Sequence, residues 1–197
     1  RAFSLAAALG VLALFAAPAM GQGNITGTSH NFSGDAWSGN SLCGACHIPH
    51  NSTELDAPLW SHTATDNTTG YTSYTTVAGT AYGTPAGISA LCMGCHDGVV
   101  ALNSFANNTY TGPDVLLDAT NGYTVGDFNK DLQNDHPVSL AMPTGDAFYN
   151  ETPAADSLLW AGNVECASCH DPLGDGGHDK LLVKSNTGSA LCTTCHN

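Results

Sequence analysis

The chain has 197 residues with 17 Asp+Glu against 4 Lys+Arg, a net charge of −13. A surface this acidic repels phosphate backbones and anionic lipid, which excludes nucleic-acid binding and attachment to anionic membranes. Gly, Ser, Thr and Asn are plentiful, and no long segment shows clean 3.6-residue apolar periodicity, so an ordinary apolar core is not expected.

In chain order, the apolar run Leu5–Ala19 follows Arg1 and ends in Ala17-Pro18-Ala19. It reads as a secretory signal peptide over residues 1–21, too short for a retained membrane anchor. Residues 22–197 then form the mature domain. A secreted chain with eight cysteines would ordinarily suggest disulfides.

The cysteine spacing points elsewhere. All eight fall into four copies of C-x-x-C-H, at residues 43–47, 92–96, 166–170 and 192–196. On a helical turn, positions i, i+3 and i+4 share one face. Two thiols can therefore bond the porphyrin vinyl groups while the following imidazole reaches the iron from the same side, the attachment of c-type haem. Disulfides, or two Cys₄ zinc sites, would account for the cysteines but need no histidine in the fifth position four times over. The expected cofactors are four covalent haem c groups, held by Cys43, Cys46, Cys92, Cys95, Cys166, Cys169, Cys192 and Cys195, with His47, His96, His170 and His196 as proximal iron ligands. Each macrocycle that buries a few hundred Å² would contribute on the order of 5–10 kcal/mol as an upper bound. The predicted fold is mostly irregular coil with short helices at the motifs, its core built by haem.

Five histidines remain: His30, His50, His62, His136 and His178. Held three residues from His47 by Ile48-Pro49, His50 cannot reach the far face of the same iron, so it is expected on a neighbouring haem. His136, in Asn134-Asp135-His136-Pro137, and His30, in Thr28-Ser29-His30, are read as distal ligands. Of His62 and His178 one is spare, and the reading favours His178 as the ligand. With histidine in sufficient supply, Met142 is not needed. Four irons with two histidines each leave no open position for substrate, which argues for electron transfer over catalysis.

Motif spacing suggests two pairs separated by residues 97–165. Ser89 and Ser189 stand ahead of the second and fourth motifs as expected helix N-caps. Residues 63–84 and 122–127 read as irregular, with room for a small hairpin. Sequons begin at Asn24, Asn31, Asn51, Asn67, Asn107 and Asn150, glycan acceptors only in a host with the machinery and otherwise polar coil.

Ser29-His30-Asn31-Phe32-Ser33, Cys46-His47-Ile48-Pro49-His50, Ala57-Pro58-Leu59-Trp60, Cys95-His96-Asp97-Gly98, Asn134-Asp135-His136-Pro137 and the closing Ser189-Ala190-Leu191-Cys192 occur in an order that resembles the tetrahaem extracellular cytochrome nanowires, of the outer-membrane cytochrome E type. The resemblance implies a haem-packed subunit with bis-histidine irons, stacked head to tail, one haem taking an axial histidine from the adjacent subunit. His30, on a terminal arm, is the candidate for that crossing. The match weakens after Cys169-His170-Asp171-Pro172, where Leu173 stands in place of the histidine the family leads one to expect and His178 would take over.

The function expected is thus a secreted subunit of an electron-conducting extracellular filament. Its partners would be identical subunits, upstream envelope cytochromes and an external electron acceptor, with no nucleic acid and no stable membrane span. A discrete periplasmic tetrahaem shuttle is the alternative. A multihaem oxyanion reductase is a weaker one, since it would need an open iron or an altered motif.

Overall fold

The computed structural model describes residues 24–52, 59–65, 70–75, 82–118, 129–152, 155 and 157–197. The signal-peptide segment, the sequon at Asn67 and the Gly122–Asp127 stretch lie outside the described residues.

Regular structure is sparse and concentrates where haem attachment was expected. Helix α1 (Gly87–His96) carries the second motif, α2 (Cys166–Cys169) the third and α3 (Cys192–Cys195) the fourth. The first motif is a single turn rather than a helix, closed by the His47 and Cys46 N–H groups on the Cys43 carbonyl at 2.8 and 3.1 Å. Pro49 accounts for its shortness, because it forces Ile48 out of the helical region. Two strand pairs complete the frame. β1 (Thr72–Ser73) runs parallel to β2 (Asp131–Leu132), and β3 (Leu140–Ala141) antiparallel to β4 (Asn163–Val164). Both pairs join segments distant in sequence, so neither is a local hairpin.

The protein's own core is small. Trp37, Ala45 and Leu102 form it, with Phe32, Phe105, Tyr110, Val115 and Leu117 packed around them. The Phe32 and Trp37 rings meet at 4.9 Å, tilted by 53°, a favourable aromatic contact. Among the described residues this is a small cluster beside a chain of 197 residues.

The two pairs expected from the motif spacing are not isolated from each other: α1 and α2 pack together and bring the second and third motifs into contact. Ser89, expected as an N-cap, instead lies fully buried within α1, whose N-cap is Ala86 with no side-chain capping bond. Its hydroxyl donates to Glu165 and accepts from the Cys166 N–H at 2.9 Å. Ser189 is exposed in a short 3₁₀ turn, and the residue that caps α3 is Leu191. In both cases a tertiary contact or the preceding turn overrides the local capping preference.

Candidate haem-attachment sites

Three of the four motifs are mounted in the same way. A helical turn over C-x-x-C ends at the histidine, which is extended and faces another segment across a β-bridge: His47 with Trp60, His170 with Leu182, His196 with Tyr149. Two backbone bonds flank each bridge. The residue after the histidine donates to the facing segment, as Ile48 to Leu59 (2.8 Å), Asp171 to Leu181 (2.7 Å) and Asn197 to Phe148 (3.1 Å). The facing segment returns a bond to the second cysteine, as Ser61 to Cys46 (2.8 Å), Val183 to Cys169 (3.0 Å) and Asn150 to Cys195 (2.9 Å). Each imidazole is thereby fixed in direction by main-chain bonds on both sides. Asn150 also spends its side-chain amide on the Thr193 and His196 carbonyls, so this sequon is structural.

The second motif is held differently. His96 stays helical, and Asp97, 1% exposed, takes up the Val99 and Val100 N–H groups at 2.8 Å each and the Thr65 hydroxyl at 2.6 Å. Gly94 lets the neighbouring strand approach. A Cβ there would stand 2.7 Å from the Thr63 carbonyl oxygen.

Two distal candidates face proximal histidines. The His30 and His96 rings lie 6.2 Å apart at 74°, and those of His136 and His196 6.2 Å apart at 63°. Metal–nitrogen bonds of about 2 Å on each side of one ion, plus the distance from nitrogen to ring centre, separate two axial imidazole centroids by about 6 Å. Both pairs fit a shared iron.

The tautomers agree. Nδ1 of His30 donates to the Pro172 carbonyl (3.0 Å), Nδ1 of His136 to Pro137 (2.8 Å) and Nδ1 of His170 to Lys180 (2.9 Å). A carbonyl only accepts, so Nδ1 carries the proton and Nε2 keeps its lone pair, the arrangement of a ligating imidazole. Burial first, and then the neighbouring His30 and His170, push His96 down to about 4, which keeps it neutral and competent to bind metal.

His62 has another role. It is 3% exposed, with Nδ1 3.0 Å from the Thr63 carbonyl and Nε2 3.3 Å from that of Leu102 and 3.4 Å from Cys95 Sγ. Both ring nitrogens thus lie within hydrogen-bond reach of backbone carbonyls, to one of which the neutral ring donates. No described ring contact joins His50 or His178 to another histidine; His50 is exposed and His178 half-buried. His30 faces His96 of its own chain.

No disulfide joins any of the eight cysteines, and among the described residues no three His, Cys, Asp or Glu side chains converge as a metal cage. Instead the thiols of successive motifs influence one another in chain order. Burial raises Cys46 to about 11, and burial followed by the charge of Cys46 raises Cys95. Cys92 hydrogen-bonds to Cys166, which raises the first and lowers the second to about 7. Cys169 is raised by burial and then by Cys195. Cys46 thus neighbours Cys95, Cys92 neighbours Cys166 and Cys169 neighbours Cys195.

Residues 161–197, which hold the third and fourth motifs, match the family described as doubled CXXCH motif. No match to the chain was found among curated proteins. The paired motif defines the class. A doubled C-x-x-C-H over residues 161–197 is a haem c attachment motif, and it supports covalently bound haem c and a role in electron transfer.

Proposed function

We propose that all four motifs carry haem c and that the chain conducts electrons along them in sequence order. The observation that carries this reading is the row of neighbouring attachment cysteines, together with two histidine pairs spaced for a shared iron. Bound haem supplies a one-electron ferric–ferrous couple. The protein supplies fixed imidazoles: His30 opposite His96, and His136 opposite His196. Two histidines on an iron would leave no coordination site for a substrate at these two haems, which favours conduction over oxyanion reduction there.

His50 and His178 remain for the irons of His47 and His170. Three residues cannot carry His50 round to the far face of its own iron, so His50 serves the other one or a neighbouring subunit. The iron of His47 is then left to His178 or to a histidine from a second copy. An iron completed from outside supports the larger proposal, a secreted subunit polymerised head to tail into an extracellular conducting filament. Heterologous contacts that do not close into a ring give helical polymers, and a shared iron ligand supplies strength that a polar, acidic interface lacks. The order of the resembling motifs favours this over a periplasmic shuttle. Electron microscopy of the haem-staining extracellular fraction tests it. Helical filaments with a continuous haem row are expected, and discrete particles alone would favour the shuttle.

A further inference from the structure

The residue just before the first cysteine is Leu42, Leu91 and Leu191 in three motifs and Glu165 in the third. Leu91 and Leu191 are buried and Leu42 half-buried, yet Glu165 is buried as well, 4% exposed. Burying a carboxylate without a cation is costly and calls for a reason. No Lys or Arg is among its described hydrogen-bond partners. Those partners are the Ser89 hydroxyl, the Ser139 hydroxyl at 2.9 Å and the backbone N–H at the third position of α2. The Ser139 hydroxyl also lies 3.1 Å from the Ala86 carbonyl, so its one proton is shared between two acceptors, while Ser89 and the α2 N–H donate to the carboxylate.

Its position is specific. Ser89 bridges Glu165 to the Cys166 N–H, and Cys166 is hydrogen-bonded to Cys92. The carboxylate therefore sits where the attachment cysteines of the second and third motifs meet, in a region of low dielectric. A fixed negative charge there stabilises ferric over ferrous iron, because the ferric site carries one more positive charge.

We propose that Glu165 is a built-in charge that lowers the reduction potentials of the second and third haems below those of the first and fourth. This rests on the four-haem reading. It makes the middle of the row the low-potential segment of the electron path, set by a residue that ligates nothing.

The test is Glu165→Gln in the haem-loaded protein, followed by spectroelectrochemical titration, with haem counted per chain and Glu165→Asp measured alongside. Two of the four potentials should rise in Glu165→Gln and return toward wild type in Glu165→Asp, with the low-spin spectrum unchanged in both. Four unshifted potentials, or a uniform rise of all four, would overturn the proposal. A wild-type count other than four would instead overturn the reading on which it rests. Should Glu165→Gln fail to assemble, Ser139→Ala keeps the charge and removes one donor. The same two potentials should then fall, and no change would refute the proposal.

Discussion

The imidazole of His30 lies 6.2 Å from that of His96 and nearly perpendicular to it, although 66 positions separate the two in sequence (96 − 30). His30 is steadied by the Pro172 carbonyl, just beyond the third motif. One arm residue thus links the second and third attachment sites. Replacing His30 with Ala should convert one iron from low to high spin and leave the others unchanged, as read by EPR. His136→Ala should do the same through His196. His62→Ala should leave every iron low-spin.

His62 should instead matter for stability, and in a pH-dependent way. Burial lowers its folded pKa below the ordinary 6.5, an effect only partly offset by the Thr63, Leu102 and Ala101 carbonyls. The unfolded chain then binds a proton that the folded chain refuses. Its contribution is complete above pH 6.5 and falls as pH drops from there toward the folded value. Denaturation of His62→Gln should show a flatter loss of stability across that acid window than wild type. Equal slopes would show that His62 does not titrate on unfolding.

The attachment motifs were legible because they are local: four contiguous pentapeptides using every cysteine. The same local rules failed for Ser89, where a serine ahead of a cysteine suggested a cap. Its hydroxyl is committed to Glu165, 76 residues away, and nothing in a local window announces that. The contact between the two pairs was not legible for the same reason, since α1 and α2 meet through side chains from both ends of the long intervening segment. A comparison of the residue preceding each first cysteine would have singled out Glu165. The β-bridges at Trp60, Leu182 and Tyr149 carry no common sequence signal, because the bonds flanking them are main-chain bonds.

Those main-chain bonds can be removed one at a time. Val183→Pro deletes the N–H that bonds to the Cys169 carbonyl at 3.0 Å and should cost about 1–3 kcal/mol. Its signature should be a broadened axial-ligand signal from the third haem alone, observed by NMR of the paramagnetically shifted histidine protons.

At Gly94 an added methyl meets the Thr63 carbonyl oxygen at 2.7 Å, whereas at Gly34 it meets nothing within 4 Å. Gly94→Ala should therefore destabilise by about 1–3 kcal/mol. Gly34→Ala should be nearly silent. Paired thermal melts would measure the contrast.

In the small protein core, Leu102 is 1% exposed, and Leu102→Ala should cost about 2–5 kcal/mol. Covalent attachment should keep the haem count unchanged, so a denaturant midpoint is the appropriate readout.

The central claim, that every C-x-x-C-H of this chain holds a haem, is tested most directly by intact mass spectrometry of the protein from its native host. The account predicts one species carrying the added mass of four haems. A species carrying only two, with the thiols of the first and second motifs free to alkylate, would contradict it.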